Sequence, residues 1–232
     1  MNKKLIGLIG TVLSVILLVY FETFMYKVFG LIGLNISNYS NLVQILINLV
    51  VKLIMCFMIY LLFKKDFRSR RGREGIIKTL LVFIVSLVSL VIGMYLFDYV
   101  IKFIGDIFNV KVLGNDFYNI FDKKLDIYLI AKITSDYLII PYLYCSIIIL
   151  SIDKLFRREV GSIVMSGILA SVIHALSLSG TLGFVIVNSL SVFVLFGTFA
   201  FLYKKHYSIW FIIMLYSIYL VSNVFIINYL GW

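Results

Sequence analysis

Apolar residues fall in seven long blocks, about Leu5–Phe21, Leu42–Phe63, Ile76–Phe97, Ile127–Leu150, Gly161–Leu178, Leu182–Tyr203 and Ser208–Leu230, separated by short charged stretches. An α-helix needs about 20 apolar residues to cross the hydrocarbon core of a bilayer, and the blocks are of that length. Only helices and closed barrels satisfy their backbone groups inside lipid. Barrel strands alternate apolar and polar positions, and these blocks do not. The pattern therefore predicts an all-α, polytopic transmembrane helix bundle of about seven spans. The start Met1-Asn2-Lys3-Lys4 followed by an apolar run resembles a secretory signal. However, Phe21, Glu22, Phe24 and Tyr26 stand where a small-residue cleavage site would be, so the first block is read as an uncleaved membrane helix.

Composition fits this picture. Apolar residues make up 62% of the 232, with a mean hydropathy of +1.08; soluble domains are roughly 45–50% apolar. No stretch free of the blocks is long enough for a separate soluble domain. The net charge of +10 would suggest a nucleic-acid partner in a soluble protein. Its distribution argues otherwise, because basic residues flank membrane helices on the cytoplasmic side. With the N-terminus inside, the inside segments hold Lys3, Lys4, Lys64, Lys65, Arg68, Arg70, Arg71, Arg73, Lys154, Arg157, Arg158, Lys204 and Lys205. The outside segments hold only Lys27, Lys102, Lys111, Lys123 and Lys124. A cytoplasmic N-terminus, an external C-terminus and a multi-pass location in the cell membrane follow. Membrane lipids are the expected partners, nucleic acid is not, and no cofactor is expected. Cys56 and Cys145 have neither metal nor redox spacing.

Two loops carry more than connection. The basic stretch Lys64–Arg73 is read as a topology determinant that touches anionic head groups. Asp98–Asp126 mixes charges with Phe103, Ile107, Phe108, Phe117 and Phe121, as an amphipathic segment on the outer surface would. The chain divides at residue 126 into an N-terminal three-helix region, 1–126, and a four-helix region, 127–232.

Polar side chains inside hydrocarbon are costly unless paired or hydrated, so function is sought there. Asp136 is the carboxylate read as lying well within a span. His174, Asn188 and Asn223 lie on the next three helices. Counting about 1.5 Å per residue from the outer ends places His174 roughly 6 Å deep, Asn188 roughly 9 Å, Asn223 roughly 10 Å and Asp136 roughly 14 Å. Such a layer would suit water activation, proton relay or polar-ligand binding. The plainer reading is that the amides and the imidazole join helices, with Asp136 ion-paired to Lys132 one turn away or to Lys52 of the second helix. Gln44, Asn48 and Lys52 share a face at four-residue spacing. Pro141 cannot donate to the carbonyl of Tyr137 and is expected to kink its helix. Ser162, Ser166 and Ala170 form a small-residue face suited to close packing, and Tyr216, Tyr219 and Asn223 share a face of the last helix.

The stretch Phe193-Val-Leu-Phe-Gly197-Thr-Phe-Ala-Phe-Leu-Tyr203-Lys-Lys-His-Tyr-Ser-Ile-Trp210 resembles part of the CAAX protease and bacteriocin-processing (CPBP, or Abi) family of intramembrane peptidases. Ser-Gly-Ile-Leu-Ala-Ser-Val-Ile-His174-Ala-Leu resembles the helix carrying that family's first histidine. The resemblance runs from about Ala131 to Asn223. Family members carry Glu-Glu-x-x-x-Arg, Phe-x-x-x-His and His-x-x-x-Asn/Asp, whose glutamate and histidines activate a water against a peptide bond. Here Ser135, Asp136 and Ile140 occupy the first motif, Ala170 and His174 the second, and Tyr216 and Leu220 the third. Only His174 matches outright and Asp136 conservatively. Hydrolysis needs both a general base and an oxyanion-stabilising group, and half the set is gone.

Three functions follow as expectations. The first is a non-catalytic bacterial relative, a pseudoenzyme, binding a hydrophobic peptide or a membrane partner in bacteriocin self-immunity or envelope regulation. The second is a divergent intramembrane peptidase using Asp136 and His174. The third is a small-solute or proton-coupled transporter using Lys52, Asp136 and His174. The family's substrates are reached from the cytoplasmic side, whereas the charge count puts the polar layer in the outer half.

Overall fold

The computed structural model describes residues 3–20, 27–31, 33, 36–68, 76–112, 126–156, 158–205 and 207–230. Among these the chain is helical, with no strand: α1 Lys3–Val19, α2 Asn41–Leu62, α3 Lys64–Arg68, α4 Ile76–Ile107, α5 Ile127–Leu155, α6 Glu159–Ser177, α7 Leu182–Lys204 and α8 Ile209–Leu230. Six helices, α2 and α4–α8, are long and apolar enough to cross a membrane. The first expected span is a helix of 17 residues, at the short end of what spans a bilayer. Helix starts follow local chemistry. The Asp126 carboxylate accepts from Leu129 N at 2.7 Å and opens α5, and the Ser208 hydroxyl accepts from Phe211 N at 3.2 Å and opens α8.

α5 is the axis of the bundle. Cys145, Ser146, Ile147, Ile148, Leu150 and Ser151 are wholly buried, and α1, α2, α6, α7 and α8 all pack on this helix. The outer helices do the reverse: Leu53, Phe57 and Met58 on α2 and Leu80, Leu81 and Leu96 on α4 point large apolar side chains outward. Apolar outside and packed inside is the pattern of a protein whose solvent is lipid. Lipid tails are as apolar as leucine, so helices here associate through close packing rather than through release of water. Glycines and serines provide it. A methyl built on Gly10 of α1 would sit 2.9 Å from Phe63 Cζ and 3.0 Å from Ser151 Cβ. One built on Gly167 of α6 would sit 2.8 Å from the Phe193 carbonyl oxygen on α7. Ser162, Ser166 and Ala170, the small-residue face, are buried in this region as expected.

Pro141 does not break α5. The helix widens into π-turns at Thr134–Ile139 and Cys145–Ile149 on either side of it. The Ile140 N–H donates to the Ser135 carbonyl, five residues back. This register shift accommodates the ring and the missing N–H of Pro141 without ending the helix.

Two expectations about loops change. α4 does not end near Phe97 but runs to Ile107, carrying Asp98, Lys102 and Asp106 with it. Asn109, at φ 51°, stops it. The Asn109 N–H donates to Asp106 O and the Val110 N–H to Gly105 O at 2.8 Å, the paired bonds of a Schellman cap. At 32 residues α4 is about 48 Å long, more than the hydrocarbon thickness, so its last turns reach the head groups or beyond. Phe103, Ile107 and Phe108 are exposed there, while Phe117, Phe121, Lys123 and Lys124 lie outside the described residues. The basic stretch begins as helix α3, whose Phe67 is buried between Tyr60, Tyr142 and Trp210 at ring separations of 5.2–5.6 Å. Arg70, Arg71, Arg73, Arg157 and His206 lie outside the described residues.

The described basic segments meet at one end of the bundle. Lys154 pairs with Asp66 at 2.7 Å, Lys204 with Asp153 at 2.5 Å and Lys205 with Glu159 at 3.3 Å. Gly7, four residues after Lys3, lies against Leu155 and Lys154.

Candidate functional site

Two helices, α2 and α5, hold the first polar group. Lys132 and Asp136 lie one turn apart on α5, and Lys132 Nζ meets Asp136 Oδ2 at 2.9 Å. This is the local ion pair, not the cross-helix pair with Lys52. Lys52 Nζ of α2 instead donates to Ser135 Oγ at 2.8 Å. The Lys132 and Asp136 side chains are 25% and 33% exposed, so the pair lies at the protein surface rather than in a closed cavity. Asn48, one turn before Lys52, buries its Oδ1 without a donor. Gln44, on the same face, turns away to donate to Tyr39 O at 2.8 Å.

His174 does not join this group. It is half-buried in the last turn of α6, where Ser177 Oγ donates to its carbonyl at 2.6 Å. α6 packs on α7, on α1 and on the Cys145–Leu155 half of α5, away from the turn bearing Asp136. Among the described residues Asp136 and His174 form no ion pair. Depth along a helix does not say which helices face each other.

The other expected members each have partners of their own. Asn188 donates to Lys111 O at 3.2 Å and Phe184 O at 2.8 Å, tying the chain after α4 to α7. Tyr216 packs edge-on against Phe196 and tilted against Phe199, at ring separations of 5.7 and 5.2 Å. Asn223 is 3% exposed; its side chain bonds the Tyr219 hydroxyl, and its Oδ1 has no donor.

A second polar group was missed by the sequence reading. Asp98 of α4 accepts from Ser191 Oγ of α7 at 3.1 Å. Tyr95 of α4 and Tyr219 of α8 lie within electrostatic reach of it. Asp98 forms no ion pair among the described residues. The available signal was the four- and seven-residue spacing of Leu90, Met94 and Ile101, buried apolar positions that carry the helix straight through Asp98. Beside this group an apolar groove of ≈ 440 Å³ lies between α4 and α8, walled by Leu87, Val88, Val91 and Ile92 and by Val221, Ser222, Phe225 and Ile226.

Chemically, the α5 group is a cation–carboxylate pair with a hydroxyl–lysine bond beside it. The α4–α7–α8 group is one carboxylate among three hydroxyls, with Lys102, one turn along α4, within electrostatic reach of Asp98. Among the described residues no three His, Cys, Asp or Glu side chains gather as metal ligands would. No protein-family model, curated protein or solved structure matches the chain.

Proposed function

We propose that this chain is a multi-pass protein of the cell membrane, with a cytoplasmic N-terminus and a CPBP-like core that binds a hydrophobic peptide or membrane partner without cleaving it. One observation carries the reading: Asp136, the conservative match to the family's glutamate, is held by Lys132 rather than by His174. A carboxylate committed to an ammonium is a poor acceptor for a water's proton. The imidazole stands on α6, whose main packing is on α7, and no ion pair joins it to Asp136 among the described residues. Tyr216, at the position of the family's second histidine, is engaged in ring packing and offers no base. Bacteriocin self-immunity and regulation of an envelope protein are the roles that suit such a relative.

The test is a cleavage assay in proteoliposomes on a panel of hydrophobic peptides, run with the wild type, Asp136→Asn and His174→Ala. Photo-crosslinking of the same peptides is measured in parallel. The expected result is peptide capture by all three proteins and cleavage by none. Cleavage by the wild type that either substitution abolishes would establish the divergent peptidase instead.

A further inference from the structure

We infer that the groove between α4 and α8, with Asp98 about 9 Å beyond Ile92 along α4, holds a phospholipid whose head group carries a primary ammonium. The inference does not rest on the CPBP reading. It starts from register. Leu87, Val91 and Tyr95 follow at four-residue spacing and Asp98 three residues later, so the α4 wall of the groove runs directly into the carboxylate. Val88, Ile92 and Phe225 are about half exposed, which leaves the groove open sideways to the acyl chains of the bilayer.

Level comes from packing. The Phe83 ring meets Phe211, in the first turn of α8 beside the basic end, at 5.3 Å. Asp98 lies about 22 Å further along α4, and about 30 Å from Lys78, one hydrocarbon thickness. A chain lying in the groove therefore brings its head group to Asp98.

The chemistry there selects the head group. Asp98 accepts one hydrogen bond, from Ser191, and has no ion-pair partner among the described residues. The carboxylate is a negative charge with lone pairs to spare beyond the Ser191 bond, so the fitting group is a cation with N–H bonds to give. Lys102, one turn beyond Asp98 and exposed, offers the charge that a lipid phosphate needs. A primary ammonium beside a phosphate meets both. A quaternary ammonium has the charge without the donors, and a glycerol head group has no cation.

The experiment uses the full chain in nanodiscs of phosphatidylcholine containing small equal fractions of phosphatidylethanolamine and phosphatidylglycerol, with retained lipid counted by native mass spectrometry. Phosphatidylethanolamine is expected to be retained about tenfold over its share, the effect of one charge-assisted hydrogen bond at a partly exposed site. Asp98→Asn should abolish the preference. Val88→Trp, at a lipid-facing position that leaves the polar group intact, should remove it by filling the groove. Retention of the three lipids in proportion to the bilayer overturns the inference, as does a preference that survives both variants. Displacement of all lipid by a free hydrophobic peptide amine, with no preference among lipids, also overturns it, by making the site a peptide site.

Discussion

Replacing Gly167 by alanine adds one methyl at the closest approach of α6 and α7. On the existing backbone that carbon would lie 2.8 Å from both the Phe193 carbonyl oxygen and Phe193 Cδ2. The oxygen belongs to a helix backbone and cannot swing aside, so the two helices must separate. Overpacking of this kind costs about 1–3 kcal/mol, against about 1 kcal/mol gained from the helix propensity of alanine. A net loss of about 1 kcal/mol is expected. Gly197→Ala, on the same helix pair, is the matched control. Its methyl would find Ile163 Cγ2 at 3.9 Å and Ile163 O at 4.0 Å, ordinary contact, so the propensity gain should stand. The two variants should differ by about 2 kcal/mol, or about 4–8 °C in unfolding midpoint for a chain of this size, read by thermal unfolding in detergent micelles. If Gly167→Ala is as stable as Gly197→Ala, the close approach of α6 and α7 is wrong.

Three further substitutions probe other parts of the bundle. Lys132→Met strips Asp136 of its partner and should cost about 1–2 kcal/mol in detergent unfolding, less than for a fully buried pair because both side chains are partly exposed. Adding Asp136→Leu should recover most of the loss; a double variant worse than the single one would show that Asp136 has another role. Phe67→Ala empties the ring cluster with Tyr60, Tyr142 and Trp210 and should cost about 3 kcal/mol, measured the same way. Single cysteines at Lys65 and Lys205 should resist a membrane-impermeant thiol reagent in intact cells while one at Asn109 reacts; the opposite labelling would invert the proposed orientation.

The helices were legible because spanning a bilayer demands length and apolarity, and both are written in the sequence. α2, α6 and α7 lie within two residues of their expected limits. α4 was cut short because Asp98, Lys102 and Asp106 look like loop chemistry. The Asn109 cap and the buried Leu90–Met94–Ile101 face were the signals that it continues. The site was harder to read for a physical reason. Rise per residue gives a position along each helix but not a direction around it. Which helices face each other is decided by contacts such as Gly10 with Ser151 and Gly167 with Phe193, and these depend on pairings that no single segment encodes. The small-residue face announced that α6 would pack closely, without naming α7 as its partner. The Lys132–Asp136 pair was legible as one of two options, since four-residue spacing fixes a local pair while Lys52 needed the fold.

The separation of the acid from the imidazole is the point on which the functional reading turns, and it can be measured on the imidazole itself. The chain has two histidines, so His206→Gln leaves His174 as a single reporter for nitrogen NMR of the protein in nanodiscs. Its titration is followed with Asp136 present and with Asp136→Asn. With Asp136 engaged by Lys132, the midpoint for His174 should be the same in both proteins. A carboxylate within about 4–6 Å moves a neighbouring titration by about 1–3 pH units. A fall in the midpoint of about one unit or more on removing the Asp136 charge would contradict the account and restore the catalytic pair.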